Sequence, residues 1–438
     1  MKAIIITSFC LLIGWMQAKS QSIDSFFKAK QDQHQLNGAV LLAEKGKVVF
    51  QSTGGYADFA SKKLNNANSR FNLASISKTF TAVAVLQLKD KGKLKLDDHV
   101  VKYLPRFPYP EISIRQLLSH TSGLPDIEIY GYLVGLNNDM IVTNKNVMEA
   151  LRKWDKGLLF KPGDNYRYSN PGYSVLALLV EKLSGTSFAD YLHRNIFIPA
   201  QMTKIYLWLP TKTSVYHNPD TALVKLNVQS AWYEKDFAAI DSVGQYRYFI
   251  YNCAGTYGEK NIISTTADLL KFDQALFSGR LLKASTLQQT FTPVRLNSGQ
   301  IWYAEHMDTM LGEGRGSYGL GFEIFEQPGF GKSVGHGGFM GGLATFYLHN
   351  LAKNQTVIAY QNTSGRQFGN LVTAAIYLLN HRALYQRKFK ESLTRIYGHT
   401  MKTQGVDAAT VVMDELRSDT GQYELKEQEM SQLGGDFL

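Results

Sequence analysis

Ser75 and Lys78 stand three residues apart, a spacing that puts both side chains on one face of a first helical turn. They lie in the stretch Phe71 to Gly92, FNLASISKTFTAVAVLQLKDKG. A hydroxyl at a helix entrance has free N–H groups and positive potential behind it. A lysine one turn further on is partly desolvated, which favours its neutral, basic form. A serine needs such a base to become a nucleophile. The pair therefore predicts acyl transfer through a serine ester. Spacing alone does not decide the matter, because Ser25 and Lys28 repeat it in a plain amphipathic segment.

Two further sets of residues could serve the same chemistry. Tyr168-Ser169-Asn170 lies in a polar, aromatic loop ahead of an apolar helix, where side chains can converge on a site. A phenol beside a lysine ammonium loses its proton more easily and can shuttle it. Asn170 can orient a substrate amide. In His336-Gly337-Gly338 the histidine can bind a carboxylate or steer a proton, and the backbone at Gly338 can line the substrate. If protonated His336 binds a carboxylate, activity on acidic substrates falls through neutral pH. A second Tyr-x-Asn, Tyr360-Gln361-Asn362, falls in a predicted strand, and His120 reads as a packing or capping residue.

Competing motifs fail on context. Gly331-Lys332-Ser333-Val334-Gly335 matches a nucleophile elbow, but glycines and a strand follow it where a helix is required. EQPGFGKS nearly matches a phosphate loop, yet Glu326 replaces its first glycine and no helix follows. The ten histidines contain no HExxH or close pair, and two cysteines cannot build a cysteine metal site. We therefore expect no metal and no cofactor.

The elements that must position these residues follow from periodicity. Ile76, Phe80, Val83, Val85, Leu86 and Leu88 wrap most of the way round one helix, which marks it as a core helix. Ser22 to Gln35 reads as a helix and Asn37 to Tyr56 as a hairpin turning at Lys45-Gly46. Tyr173 to Leu183 and Ser264 to Phe277 read as helices, and between them, from about residue 195 to 258, periodicity fades. Strands return at Tyr318 to Phe325, Gly341 to His349 and Thr356 to Gln361, with a glycine-rich connector between the first two. Gln367 to Asn380 is a further helix. Strands at both ends and helices in the middle predict an α+β fold whose one sheet is assembled from both termini.

With 438 residues, 44% of them hydrophobic, the chain can bury a large core. Met1-Lys2 precedes the apolar run AIIITSFCLLIGWM, and Gln17-Ala18-Lys19-Ser20 offers small residues for cleavage. This reads as a signal peptide over residues 1–20, hence an exported protein, periplasmic or secreted. Loss of Cys10 with it leaves Cys253 alone, so no internal disulfide is expected. The net charge of +10 is spread along the chain. It reads either as a solvated surface or as affinity for an acidic polymer such as cell-wall material. No nucleic-acid motif is present, and export argues against such a partner.

LASISKTFTA, LLSHTSGLPD, YRYSNPGY, IISTTADLLKFDQAL and YGLGF followed by GHGGFMGG stand in this order between about residues 24 and 382. In these blocks the chain resembles the serine β-lactamase/penicillin-recognising superfamily, especially class C β-lactamases, D-alanyl-D-alanine carboxypeptidases and related esterases. The resemblance implies a β-lactamase/transpeptidase-like fold, a central antiparallel sheet flanked by helices with an inserted, mainly helical domain. It implies Ser75 as the acylated nucleophile, Lys78 and Tyr168 as the proton-transfer system, and Asn170 as a substrate-positioning residue. The backbone N–H groups of Ser75 and Phe339 would form the oxyanion hole. His336-Gly337-Gly338 departs from the Lys-Thr-Gly of efficient class C β-lactamases and looks more like the peptidase and esterase branches.

The domain reading is a sheet domain from residues 21–105 with 300–382, a helical domain over 106–299 and a C-terminal helical extension over 383–438. The extension reads as a docking appendage for an unknown partner, or as a tail packed on its own domain. The expected function is an exported serine hydrolase acting on small-molecule or peptide substrates: esters, amides or D-amino-acid peptides. The alternative is a non-catalytic cell-wall or partner-binding protein that keeps the same fold.

Overall fold

The computed structural model describes residues 22–215, 218–229, 236–304, 314–363, 368–384, 390–425, 429–431 and 433. The signal-peptide reading and Cys10 lie outside the described residues. Among the described residues no helix is long and apolar enough to cross a membrane.

The chain opens with helix α1 (Ile23–Asp32), capped by the Ser22 side chain, which accepts from the Ser25 N–H. Ser25 donates its hydroxyl proton to Ser22 O, and Lys28 pairs with Asp32. The second Ser-x-x-Lys match is thus a helix start with a surface ion pair. Strands β1 (Gly38–Glu44) and β2 (Lys47–Gly54) follow as an antiparallel hairpin. Helix α2 (Ser77–Asp90) comes next, then α3 (Asn170–Ser184) and α4 (Thr266–Phe277). Strands β3 (Arg315–Tyr318), β4 (Glu323–Gln327), β5 (Gly331–Met340), β6 (Leu343–Asn350) and β7 (Gln355–Gln361) come late in the chain. Helix α5 (Phe368–Leu379) closes the body, and α6 (Leu393–Gln404) and α7 (Val406–Leu416) pack on each other beyond it.

The seven strands form one antiparallel sheet in the order β3-β4-β5-β6-β7-β1-β2. Residues 38–54 and 315–361 are therefore neighbours in space. Strand β1 shows why the sheet is central. Ala39, Leu41 and Ala43 join the core that holds α2, α3 and α4, whereas Val40 and Leu42 join the core that holds α1 and α5. Successive residues face opposite sides of a strand, so a run apolar at every position needs a cover on both faces.

Every residue of α2 from Ser77 to Leu88 is buried, as its all-round apolarity requires. Phe80 stacks on Phe272 of α4 at 4.0 Å. The helix thereby serves as a rigid post with Ser75 and Lys78 at its top.

Two expectations are corrected here. Tyr318 to Phe325 is not one strand but the end of β3, a turn and the start of β4, with Gly319 N–H bonded to Phe322 O. Gly321 explains the break. Its φ is +84°, and a Cβ there would lie 2.2 Å from the Ala82 Cβ of α2. Gly321→Ala combines a left-handed alanine, costing about 1–2 kcal/mol, with a core overlap of about 1–3 kcal/mol. Denaturant unfolding should show a loss of at least about 2 kcal/mol on these principles, and an unchanged midpoint would refute this account of the turn.

The glycine-rich segment 329–342, expected as a connector, contains the ten-residue strand β5. Glycine is a weak strand former, but here side chains do not fit. A Cβ on Gly335 would meet Tyr347 O at 1.9 Å, and one on Gly338 would meet Thr345 Oγ1 at 2.3 Å and Leu73 O at 2.7 Å. Ser333 of the rejected elbow motif is buried inside β5, hydrogen-bonded by the Asn350 amide.

Candidate active site

Ser75 sits in a 3-10 turn, Ala74–Ile76, that runs directly into α2. Ala74 has a φ of +46°, a conformation that alanine rarely adopts. Asn72 holds it there, accepting the Ala74 N–H at 2.9 Å while its amide donates to Asn261 Oδ1 at 3.1 Å. The strained turn lifts the Ser75 hydroxyl to the wall of a cavity of about 490 Å³.

Lys78 is fully buried and spends all three donors. Its Nζ lies 3.1 Å from Ser75 Oγ, 2.7 Å from Asn170 Oδ1 and 3.0 Å from the Glu259 carbonyl. Burial pulls its pKa down to about 7, opposed by the charges of Glu259 and Asp126. A neutral lysine amine at working pH, one hydrogen bond from a serine hydroxyl, is a competent general base.

Tyr168 and Asn170 arrive on the loop that starts α3. Ser169 caps that helix through Gly172 N–H, with Pro171 in its first turn. His120, itself at a φ of +59°, accepts the Ser169 N–H on Nδ1 at 3.1 Å. Its ring lies 4.1 Å from that of Tyr168, so the packing and capping reading of His120 describes a residue that shapes this loop. Asn170 is fixed by Asp126, whose carboxylate accepts both the Asn170 main-chain N–H and its amide, at 2.9 Å each. Oriented so, the amide turns its oxygen to Lys78.

Tyr168 corrects an expectation. The Lys78 ammonium lies over the face of the phenol, 4.8 Å from the ring centroid. Burial pushes the Tyr168 hydroxyl well above its usual range, opposed by the polar Ser75 side chain. The phenol keeps its proton, and the lysine is the group with the accessible base form.

His336 corrects another. Its ring is buried in β5, with Nε2 at 2.9 Å from the Tyr318 hydroxyl and Nδ1 at 2.5 Å from Gly337 O. Burial and the nearby Lys78 charge pull its pKa down to about 3. His336 lines the cavity as a neutral imidazole, so the imidazolium expected to bind a carboxylate is not the form this site favours.

Gly338 packs on the nucleophile turn, where Thr345 Oγ1 donates to Leu73 O at 2.9 Å. Gly337 N–H turns away from β6 and donates to Glu323 Oε2 at 3.0 Å. Antiparallel pairing alternates these directions, and the β5–β6 register continues unbroken through Phe339 opposite Ala344. Phe339 N–H therefore points the same way as Gly337 N–H, past the end of β4, where the last pair joins Glu323 and Gly335. Among the described residues no strand pairs with it there, and Phe339 and Ser75 both line the cavity.

Four charged residues of this region were missed in the sequence. Asp126 lies in the block LLSHTSGLPD and follows a proline turn, a visible signal without a visible partner. Glu259 and Lys260 form a buried pair at 3.4 Å, with the Glu259 carboxylate also bonded by Ser174 and Thr256. Glu323, half-buried against the cavity, is held among the described residues by Gly337 N–H, and desolvation pushes its pKa up to about 7.

Comparison with known proteins gives the family. Residues 23–380 match the family model described as Beta-lactamase. Penicillin-binding protein 4* of Bacillus subtilis (strain 168) is 32% identical over 348 residues, covering 79% of this chain and 72% of that protein. A D-aminopeptidase of Brucella anthropi is 27% identical over 330 residues, covering 75% of this chain but only 56% of the relative. The crystal structure of a penicillin binding protein from Bacillus halodurans superposes with a TM-score of 0.65 over 80% of this chain and 99% of that one, at 24% identity, which shows a shared fold. The chain belongs to the Beta-lactamase family, serine hydrolases of the β-lactamase and penicillin-binding-protein type.

Proposed function

We propose that the protein is an exported serine hydrolase that works through an acyl-enzyme on Ser75. The supporting observation is the buried Lys78 amine, 3.1 Å from Ser75 Oγ and pulled down to about 7. Ser75 Oγ attacks the substrate carbonyl carbon as Lys78 takes its proton. The oxyanion is received by the N–H groups of Ser75 and Phe339. When the tetrahedral intermediate collapses, the proton passes to the leaving group through Lys78 and the Tyr168 hydroxyl, two groups that meet on the cavity side of Ser75. Water then attacks the acyl-enzyme by the reverse proton path. Asn170, on the cavity wall, holds Lys78 in place beside the substrate.

The substrate class is an ester, an amide or a D-amino-acid peptide, a range supported by the D-aminopeptidase and penicillin-binding relatives. Turnover of a p-nitrophenyl ester and a D-alanyl anilide by the mature protein, lost in Ser75→Ala, is the expected result. Turnover that survives Ser75→Ala would contradict it.

A further inference from the structure

Glu323 has no part in the proton path just described, yet it is a carboxylic acid on the cavity wall. It begins β4, pairs with Gly335 and reaches along β5 to the Gly337 N–H with Oε2. Oε1 lies 3.8 Å from His336 Nδ1, which is already engaged by Gly337 O, and makes no hydrogen bond of its own among the described residues. A cavity-lining acid with one oxygen free is a recognition element as well as a strand-end cap.

Its side of the cavity follows from the reaction. The leaving group must meet the proton donor, so it lies against Tyr168 and Lys78. The Glu323 charge acts on both of those residues, and the His336 ring is 6.2 Å from that of Tyr168. Glu323 and His336 thus border the leaving-group side. His336 is neutral there, and Lys260, a further cation on the cavity wall, is paired with Glu259. Apart from the catalytic Lys78, a carboxylate on the leaving group would meet a like charge with no cation held for it, whereas an ammonium or a neutral amide would find a free acceptor.

We propose that Glu323 is a specificity-determining residue that rejects leaving groups bearing a carboxylate next to the scissile bond and admits neutral or cationic ones. Resting on the serine-hydrolase reading above, it narrows the substrates to esters and amides whose departing alcohol or amine is neutral or cationic, and disfavours carboxypeptides and β-lactams with their free acid.

The test uses two N-acyl-D-alanyl thioesters that differ only in the leaving thiol, thioglycolate in one and its primary amide in the other. Thiol release is followed for the mature protein and for Glu323→Gln, which keeps an acceptor for Gly337 N–H. At pH 8 the wild type should prefer the amide by at least about tenfold in kcat/KM, the scale of a like charge a few ångströms away in a partly screened site. Glu323→Gln should bring the ratio to within about threefold, mainly by raising the rate on the acid. A wild-type ratio measured at pH 6 should narrow likewise. The titratable groups facing Glu323 are Lys78 of α2, Tyr166 and Tyr168 of the loop before α3, Tyr318 of β3 and His336 of β5. The tyrosines stay protonated and the histidine neutral in that range, but Lys78 titrates in the same window. Glu323→Gln is therefore measured at both pH values, and a narrowing toward pH 6 that persists in this variant would overturn the assignment to Glu323. If both thioesters react but the wild type shows no preference, or Glu323→Gln leaves the ratio unchanged, the role of Glu323 is overturned. If neither reacts, the hydrolase reading falls, and this one with it.

Discussion

Lys78→Ala is expected to lower kcat/KM on a neutral ester by about 10²–10⁴-fold, the range that a positioned general base contributes. The same substitution should erase the acid limb of the pH profile. The sign follows from the form required. The base must be unprotonated in the free enzyme, so wild-type kcat/KM should rise about tenfold per pH unit below the lysine pKa and level off above it. With Lys78 pulled down to about 7, the bend falls near neutrality and not near the usual lysine value of 10.5. Glu323, pushed up to about 7, titrates in the same window, and the two protons couple. The profile is therefore best measured in Glu323→Gln as well, where the Lys78 limb should persist. A bend near 10, or a Lys78→Ala variant with more than about a tenth of wild-type activity, would contradict the role of Lys78 as base.

The second large effect concerns a glycine. Gly338→Ala places a methyl 2.3 Å from Thr345 Oγ1, 2.7 Å from Leu73 O and 3.0 Å from the Ala74 Cβ. Leu73 and Ala74 form the entrance to the nucleophile turn, so β5 must move off Ser75 or the turn must shift. A displacement of about 1 Å in a catalytic constellation costs on the order of 10²-fold in rate. Gly337 is the natural control. A Cβ there meets nothing closer than Glu323 Oε2 at 3.8 Å, and its φ is not left-handed. Gly337→Ala should stay within about threefold of wild type, as expected where no contact is strained. Steady-state kinetics on one ester for both variants, with melting curves to confirm folding, checks the pair. Equal losses in the two would sink the account of Gly338 as the spacer between β5 and the nucleophile.

Much of this site was legible because its parts are local. The all-round apolarity of Ile76 to Leu88 marked a buried helix, and Ser75 and Lys78 come together through a spacing of three residues. The loop Tyr168 to Asn170 was legible through its place before an apolar helix. The alternation in β1 hid itself, because both of its faces are covered, yet its apolar run still read as a strand.

What escaped was tertiary. Asp126 meets Asn170 across 44 positions of chain, and Glu259 brings its carbonyl to Lys78 across 181. Strand β5 looked like a connector since its glycines answer to Tyr347 and Thr345 of the facing strand and to Leu73 of the nucleophile turn, contacts that composition does not show. The proton states of Tyr168 and His336 were misjudged for a related reason. The residue types suggested an acidified phenol and a charged imidazole, but burial favours the neutral form of each. Desolvation is a property of the folded surroundings and cannot be read from a motif.

The central claim is that Ser75 carries the acyl group. The most direct test is intact-mass analysis of the protein after treatment with a fluorophosphonate, followed by mapping of the modified peptide. One adduct per chain, on Ser75 and absent from Ser75→Ala, is the result expected of a serine activated by Lys78. A wild-type protein that takes up no label, or a Ser75→Ala variant labelled to the same extent, would contradict it.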